Sequence, residues 1–296
     1  MNKKIVIVPT FCDAHLIRYQ IDNIMNVIDP DYLIYNECLW PLGPENLNNM
    51  TDEFISKYCK PDTKLGFDTD ELSEIISNSQ KKYSNKKIIH NKLEFFEKVD
   101  SNIAYLTAVS YLGETNLKME MGDLIFPYEA DVFFHINDKD KLNEEIKNLK
   151  EDESFRTNWI DFIGTQYYTE RKFHPNFGTI KGRKVCIKFG SFEYYAKINL
   201  QCLKQDYSEC KYADIKTFHY NWFKPGPYSQ FRYDQLHRND GYWTLWDKAI
   251  KRAIEIKNTT KEDIRIRNTG NYNSDHISYI ELEHPDEIKN HPNFVT

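Results

Sequence analysis

The sequence predicts an α/β fold: a mainly parallel sheet with flanking helices and an irregular, aromatic-rich C-terminal lobe. Three observations carry the α/β class. Short β-branched runs alternate with amphipathic segments through residues 1–135, and strands that alternate with helices pair in parallel under helices on both faces. No Ser/Gly linker, low-complexity tract or internal repeat breaks the chain, so residues 1–296 read as a single domain in two halves, 1–135 and 136–296. Aromatic residues make up 15% of the chain, enough apolar surface to offset chain entropy and exclude a disordered protein.

The elements follow in order. Lys3 to Thr10 is a short β-branched run with a proline near its end, which reads as a buried strand. Asp13 is placed to cap a helix over 14–27, where Leu16, Ile17, Ile21, Ile24 and Met25 repeat with the helical period. Asp29-Pro30-Asp31 stops it, and a second strand runs from Tyr32 to Asn36. This is the opening of a right-handed βαβ unit. A turn-rich loop occupies 41–46, a helix is expected over 70–82, a strand over 87–91 and a helix over 100–112. Next, an apolar strand within 122–134 runs into Glu129-Ala130-Asp131. Lys139 to Lys150 is a charged amphipathic helix, residues 157–200 carry strand-like runs rich in Tyr, Phe and Ile, and a last helix is expected over 243–257.

Composition bounds the partners. A net charge of −6 excludes a protein that coats nucleic acid or anionic membrane through bulk charge, but not a local basic pocket. No apolar run approaches the roughly 18 residues that span a bilayer. Ile5-Val6-Ile7-Val8 is too short for a signal-peptide core. Six cysteines with no C-x-x-C pair read as reduced thiols in a cytoplasmic protein. No G-x-x-x-x-G-K-[ST], G-x-S-x-G or H-E-x-x-H motif occurs, which counts against P-loop, α/β-hydrolase and zinc-protease chemistry.

Ligands of open α/β sheets bind at the C-terminal strand ends, where Thr10, Asn36, Glu37, Glu129 and Asp131 fall. Carboxylates at i and i+2 share one face of a strand, and at its end both can approach one ligand. Hard divalent cations take such oxygens together with phosphate oxygens. The opposing reading is a pair of solvated acids.

The stretches that carry chemistry come in a telling order. After Val8-Pro9-Thr10, a helix and Asn36-Glu37 comes Gly122-Asp123-Leu124-Ile125-Phe126-Pro127-Tyr128-Glu129-Ala130-Asp131. Phe218-His219-Tyr220-Asn221-Trp222-Phe223-Lys224-Pro225 and Glu283-His284-Pro285-Asp286-Glu287-Ile288 follow. Together they resemble glycosyltransferases of the GT-A fold, family-two-like: an apolar strand leading into an Asp-x-Asp motif, a His-Tyr-x-Trp-x-Arg/Lys segment and a late His-Pro segment. The matching stretches cover about half of the chain. Glu129 stands where the motif has its first Asp, which leaves Asp131 the stronger metal contact.

The resemblance implies transfer of a sugar from a nucleotide-sugar donor to a saccharide or other glycosyl acceptor, assisted by Mn²⁺ or Mg²⁺. It makes residues 1–135 the donor half and 136–296 the acceptor half. It sets Thr10 and Glu37 near the nucleoside, Glu129 and Asp131 at the ribose and metal, and Lys224 at the diphosphate. His219 is the candidate third metal ligand, and an imidazole suits Mn²⁺ better than Mg²⁺; the opposing reading is a hydrogen-bonded core histidine. His284 reads as structural, at the start of a turn or helix.

Inverting transfer needs a general base, for which Asp161, Glu170 and Glu193 are candidates. Asp161 also reads as a surface acid at a strand start. Lys181-Gly182-Arg183-Lys184 and Arg171-Lys172 read as solvated basic turns. Tyr167, Tyr168, Phe192, Tyr194, Tyr195, Trp222, Tyr242 and Trp243 are either acceptor platforms or core. Two other functions fit the same residues: a non-catalytic carbohydrate- or nucleotide-binding protein, and a nucleotidyltransferase.

Overall fold

The computed structural model describes residues 2–40, 51–59, 65–97, 117, 119–162, 166–170, 184–203, 209–220, 223–236 and 277–294. The turn at 41–46, the helices expected over 100–112 and 243–257, the basic residues at 171–172 and 181–183, Trp222 and Tyr242 lie outside them.

The first βαβ unit forms as the sequence directs. Strand β1 (Lys4–Thr10) leads into helix α1 (Ala14–Val27), and β2 (Tyr32–Trp40) returns parallel to β1 in the register Ile5↔Tyr32 to Thr10↔Glu37. Helix α1 ends where Asp29 turns to φ 53° ahead of Pro30 and its N–H donates to the Ile24 carbonyl. Its start corrects the expected cap. Asp13 occupies the N-cap position, but its carboxylate accepts from the Thr10 hydroxyl and the Phe11 N–H, and the Ala14 N–H donates instead to Asp68. The left-handed Cys12, at φ 55°, sets this turn between strand and helix.

Helices α2 (Asp52–Tyr58) and α3 (Thr69–Lys82) precede β3 (Lys87–Glu97), which lies parallel to β2. The apolar run within 122–134 is two strands rather than one, β4 (Leu124–Pro127) and β5 (Val132–Phe134). Then come α4 (Lys139–Asn148), β6 (Glu153–Asp161), β7 (Tyr168–Glu170) and β8 (Lys184–Lys188). After them stand α5 (Phe192–Leu203), β9 (Lys211–His219), α6 (Gly226–Leu236) and β10 (Ile277–Tyr279).

Eight strands form one mostly parallel sheet in the order β3-β2-β1-β4-β8-β6-β9-β5, and β7 pairs with β10 in a separate antiparallel ribbon. The pairings of β3, β2, β1 and β4 are parallel, as is β6 with β9, whereas β8 runs antiparallel to both its neighbours and β5 antiparallel to β9.

Alternation along β1 separates two layers. Val6 and Val8 face α1, α3 and α4 through Ile17, Ile21, Leu72, Ile76, Leu142 and Ile146, while Ile5 and Ile7 face Tyr195 and Ile198 of α5. Each such side chain fully withdrawn from water contributes roughly 1.5–3 kcal/mol.

Residues 192–203 correct the strand-like reading of that stretch. The Ser191 hydroxyl accepts from the Tyr194 N–H and Asp152 accepts from the Ser191 N–H, which starts a helix despite its aromatic content. Among the described residues Cys12, Cys59 and Cys186 are buried thiols outside any disulfide. No helix among the described residues is long and apolar enough to cross a membrane.

Candidate functional site

The acids of Glu129-Ala130-Asp131 do not sit on a strand. They form a turn between β4 and β5, closed by the Val132 N–H donating to the Glu129 carbonyl at 3.2 Å. The turn is held from outside. Gln20 of α1, fully buried, donates its amide to the carbonyls of Glu129 and Val132 and accepts from the Tyr35 hydroxyl. The Tyr220 N–H donates to the Asp131 carbonyl at 2.8 Å, and the Tyr128 N–H to that of Ile7 at 2.9 Å. Ala130 is buried between the two acids and packs into the main core. The two carboxylates therefore converge through a turn, where the sequence suggested strand alternation.

They converge on His219, the last residue of β9, which is paired with Val132 on one side and Asp161 on the other. His219 Nε2 lies 3.2 Å from Asp131 Oδ1 and 3.7 Å from Glu129 Oε2, and its Nδ1 lies 2.8 Å from Asp161 Oδ1. One ligand atom from each of Glu129, Asp131 and His219 falls within 4.8 Å of the others. The Trp159 ring lies against the imidazole with centroids 4.5 Å apart. Asp131 and His219 are buried and Glu129 is 21% exposed, so the cluster opens to solvent on the Glu129 side. Burial alone would push the His219 pKa down. Asp131 and Asp161 outweigh it and hold the imidazolium up to about 10.

Asp161 is thus neither at a strand start nor on the surface: it ends β6, is buried, and faces His219. The long-range pairing of β6 with β9 brings the two together, and nothing local in the sequence announces it.

A second polar group lies at the ends of β1 and β2. Thr10 and Glu37 are register partners, both buried. The Glu37 carboxylate accepts from the Thr69 hydroxyl and sits 2.9 Å from His90 Nε2. Lys224 is buried, with Nζ 3.8 Å from Asp13 Oδ1, and Asp13 in turn binds Thr10. Asp68, which sequence reasoning passed over, caps α1 from the start of α3 and has one carboxylate oxygen, Oδ1, buried without a hydrogen-bond partner. Burial, aided by Asp13, Glu37 and Glu71, raises its pKa to about 7. Gly66 permits this arrangement, since a Cβ there would come 2.5 Å from Cys12 Sγ.

The other candidates lie elsewhere. Glu193 is exposed on the first turn of α5, the helix that packs on the face of β1 opposite α1. Glu170 ends β7, in the ribbon with β10. Tyr195 is core, Tyr194 half-buried and Phe192 59% exposed. His284 stands at the start of a turn, as expected: Tyr220 bonds its Nδ1, Phe162 and Phe294 pack on its ring, and Pro285 leads into a short 3₁₀ turn over Asp286–Asn290. Gln20 is the positioning residue that sequence reasoning missed, and a buried glutamine on the apolar face of α1 is the one local signal for it. No protein-family model matches the chain, and no curated protein matches it.

Proposed function

We propose that the protein is a metal-assisted glycosyltransferase that uses a nucleotide-sugar donor. The observation that carries the reading is the convergence of Glu129, Asp131 and His219 at one edge of an α/β sheet. The donor set fits a divalent cation. Two carboxylates and one imidazole nitrogen suit Mn²⁺ better than Mg²⁺, which prefers oxygen alone. Glu129, Asp131 and His219 would hold the ion, which would displace the Nε2 proton of His219 and supply positive charge to a departing diphosphate.

The chain's own groups account for the rest. The Gln20-anchored turn fixes both acids before any ligand arrives, so little ordering is left to binding. Lys224 stands at the end of β1 as a cation for phosphate oxygens, and Thr10 and Glu37 supply buried hydrogen-bonding groups for a nucleoside. A net charge of −6 is consistent with a bound ion bridging carboxylate to diphosphate.

One observation favours a second reading, a donor-binding protein without turnover. Of the three acids suggested as general base, Asp161 is engaged by His219, Glu193 is exposed on a helix of the other sheet face, and Glu170 ends β7 in the separate ribbon with β10.

A thermal-shift panel of nucleotide sugars with and without Mn²⁺ tests the first reading. A rise with one donor only when Mn²⁺ is present supports it, and no shift with any donor counts against both readings. Release of free nucleoside diphosphate from that donor then separates transferase from binder.

A further inference from the structure

We propose that Asp161 is a positioning residue for a divalent-cation centre: its carboxylate holds Nδ1 of His219 and thereby presents Nε2 to Glu129 and Asp131. The inference rests on the metal reading above and assigns Asp161 a role other than general base. Three features support it. The Nδ1 contact of 2.8 Å is the shortest polar contact of the imidazole, and it falls on the nitrogen opposite the two acids. Asp161 and His219 are directly paired residues of parallel neighbours β6 and β9, so the backbone ladder fixes their spacing. Two residues back, Trp159 lies against the imidazole ring, and below it Thr157 and Thr217 hydrogen-bond across the same two strands.

Metal-bound histidines commonly give their second nitrogen to a carboxylate, which fixes the tautomer and ring orientation and raises ligand basicity. Asp161 stands where that partner belongs. A general base needs an oxygen aimed at the acceptor hydroxyl, and Asp161 Oδ1 is aimed at the histidine.

The test is Mn²⁺ binding by the 296-residue chain in the absence of donor, read by calorimetry and by electron paramagnetic resonance for nitrogen coupling from His219. The wild-type chain should bind one ion with a nitrogen ligand, and Asp131→Asn and His219→Gln should lose it. Asp161→Ala should weaken Mn²⁺ affinity by roughly 10–100-fold and lose or reduce the nitrogen coupling. Asp161→Asn keeps the shape and an acceptor for the Nδ1 proton; it should show a smaller loss, and it supplies the comparison if the alanine variant does not fold. Wild-type affinity and coupling in folded Asp161 variants would overturn the positioning role while leaving the metal centre standing. Absence of Mn²⁺ binding by the wild-type chain would overturn both.

Discussion

His219 makes the stability of the metal-free protein depend on pH in a way that one substitution isolates. Its pKa stands at about 10 in the folded chain, against 6.5 when unconstrained. Between those values the folded state holds a proton that the unfolded state has lost, so stability falls as pH rises. The contribution is full below pH 6.5 and gone above pH 10. The slope in that window is about 1.4 kcal/mol per pH unit, so raising pH from 7.5 to 9 removes about 2 kcal/mol. His219→Gln has no such proton to lose. It also leaves Asp131 and Asp161 facing each other without a counter-charge, at a cost of about 3 kcal/mol near neutrality. Urea denaturation of both proteins in chelator, at pH 7.5 and 9, measures the difference directly. Titration of the buried thiols and phenols is common to both and cancels. The gap between wild type and variant should narrow by about 2 kcal/mol. A gap independent of pH would show that His219 carries no extra proton and that the two carboxylates do not hold it charged.

Other expectations follow from the same groups. Asp68→Asn should stabilise the protein by roughly 2–4 kcal/mol at pH 8 and leave it unchanged at pH 4, because a folded pKa raised to about 7 means stability lost as pH climbs from the ordinary carboxylate value; equal stability at both pH values would count against a buried carboxyl. His284, which burial pushes down to about 3, should destabilise the fold as pH drops below 6.5, and His284→Gln should flatten the acid limb of a denaturation profile. Gln20→Leu should cost about 1–3 kcal/mol by stranding the carbonyls of Glu129 and Val132, and should also weaken Mn²⁺ binding. A variant that binds Mn²⁺ as wild type does would remove Gln20 from the site. Asp131→Asn should abolish any thermal upshift that requires both donor and Mn²⁺.

The sequence was most legible where local chemistry decides. Helix α1 follows its apolar period from Ala14 and halts at Asp29-Pro30, and the start of β2 at Tyr32 matches the reading. The acids at 129 and 131 and the late histidine at 219 were visible as residue types, and they do come together. What stayed hidden depends on partners distant in sequence. The split of the 122–134 run into β4 and β5 falls at Pro127 and the two acids, but the turn between them is held by Gln20 and Tyr220, which are distant in sequence. Asp161 looked like a surface acid because only the pairing of β6 with β9 gives it a partner. Helix α5 was masked by aromatic residues that favour strands, although Tyr195 and Ile198 keep a helical spacing.

Strand β9 lies between β6 and β5 in the sheet although it follows both in the chain. During synthesis the Glu129–Asp131 turn leaves the ribosome long before its histidine exists, and β5 has no strand partner until β9 slots in beside it. Insertion of a late interior strand is a non-local event and is slow relative to forming α1 or α4. A nascent chain therefore has no assembled Glu129–Asp131–His219 cluster, and the cluster forms only with the completed sheet. In the finished sheet β5 is the terminal strand, and α1 covers its outer edge: Asn23 accepts from the Phe134 N–H and donates to the Phe134 carbonyl, and Gln20 donates to the Val132 carbonyl, which leaves no open ladder for another chain.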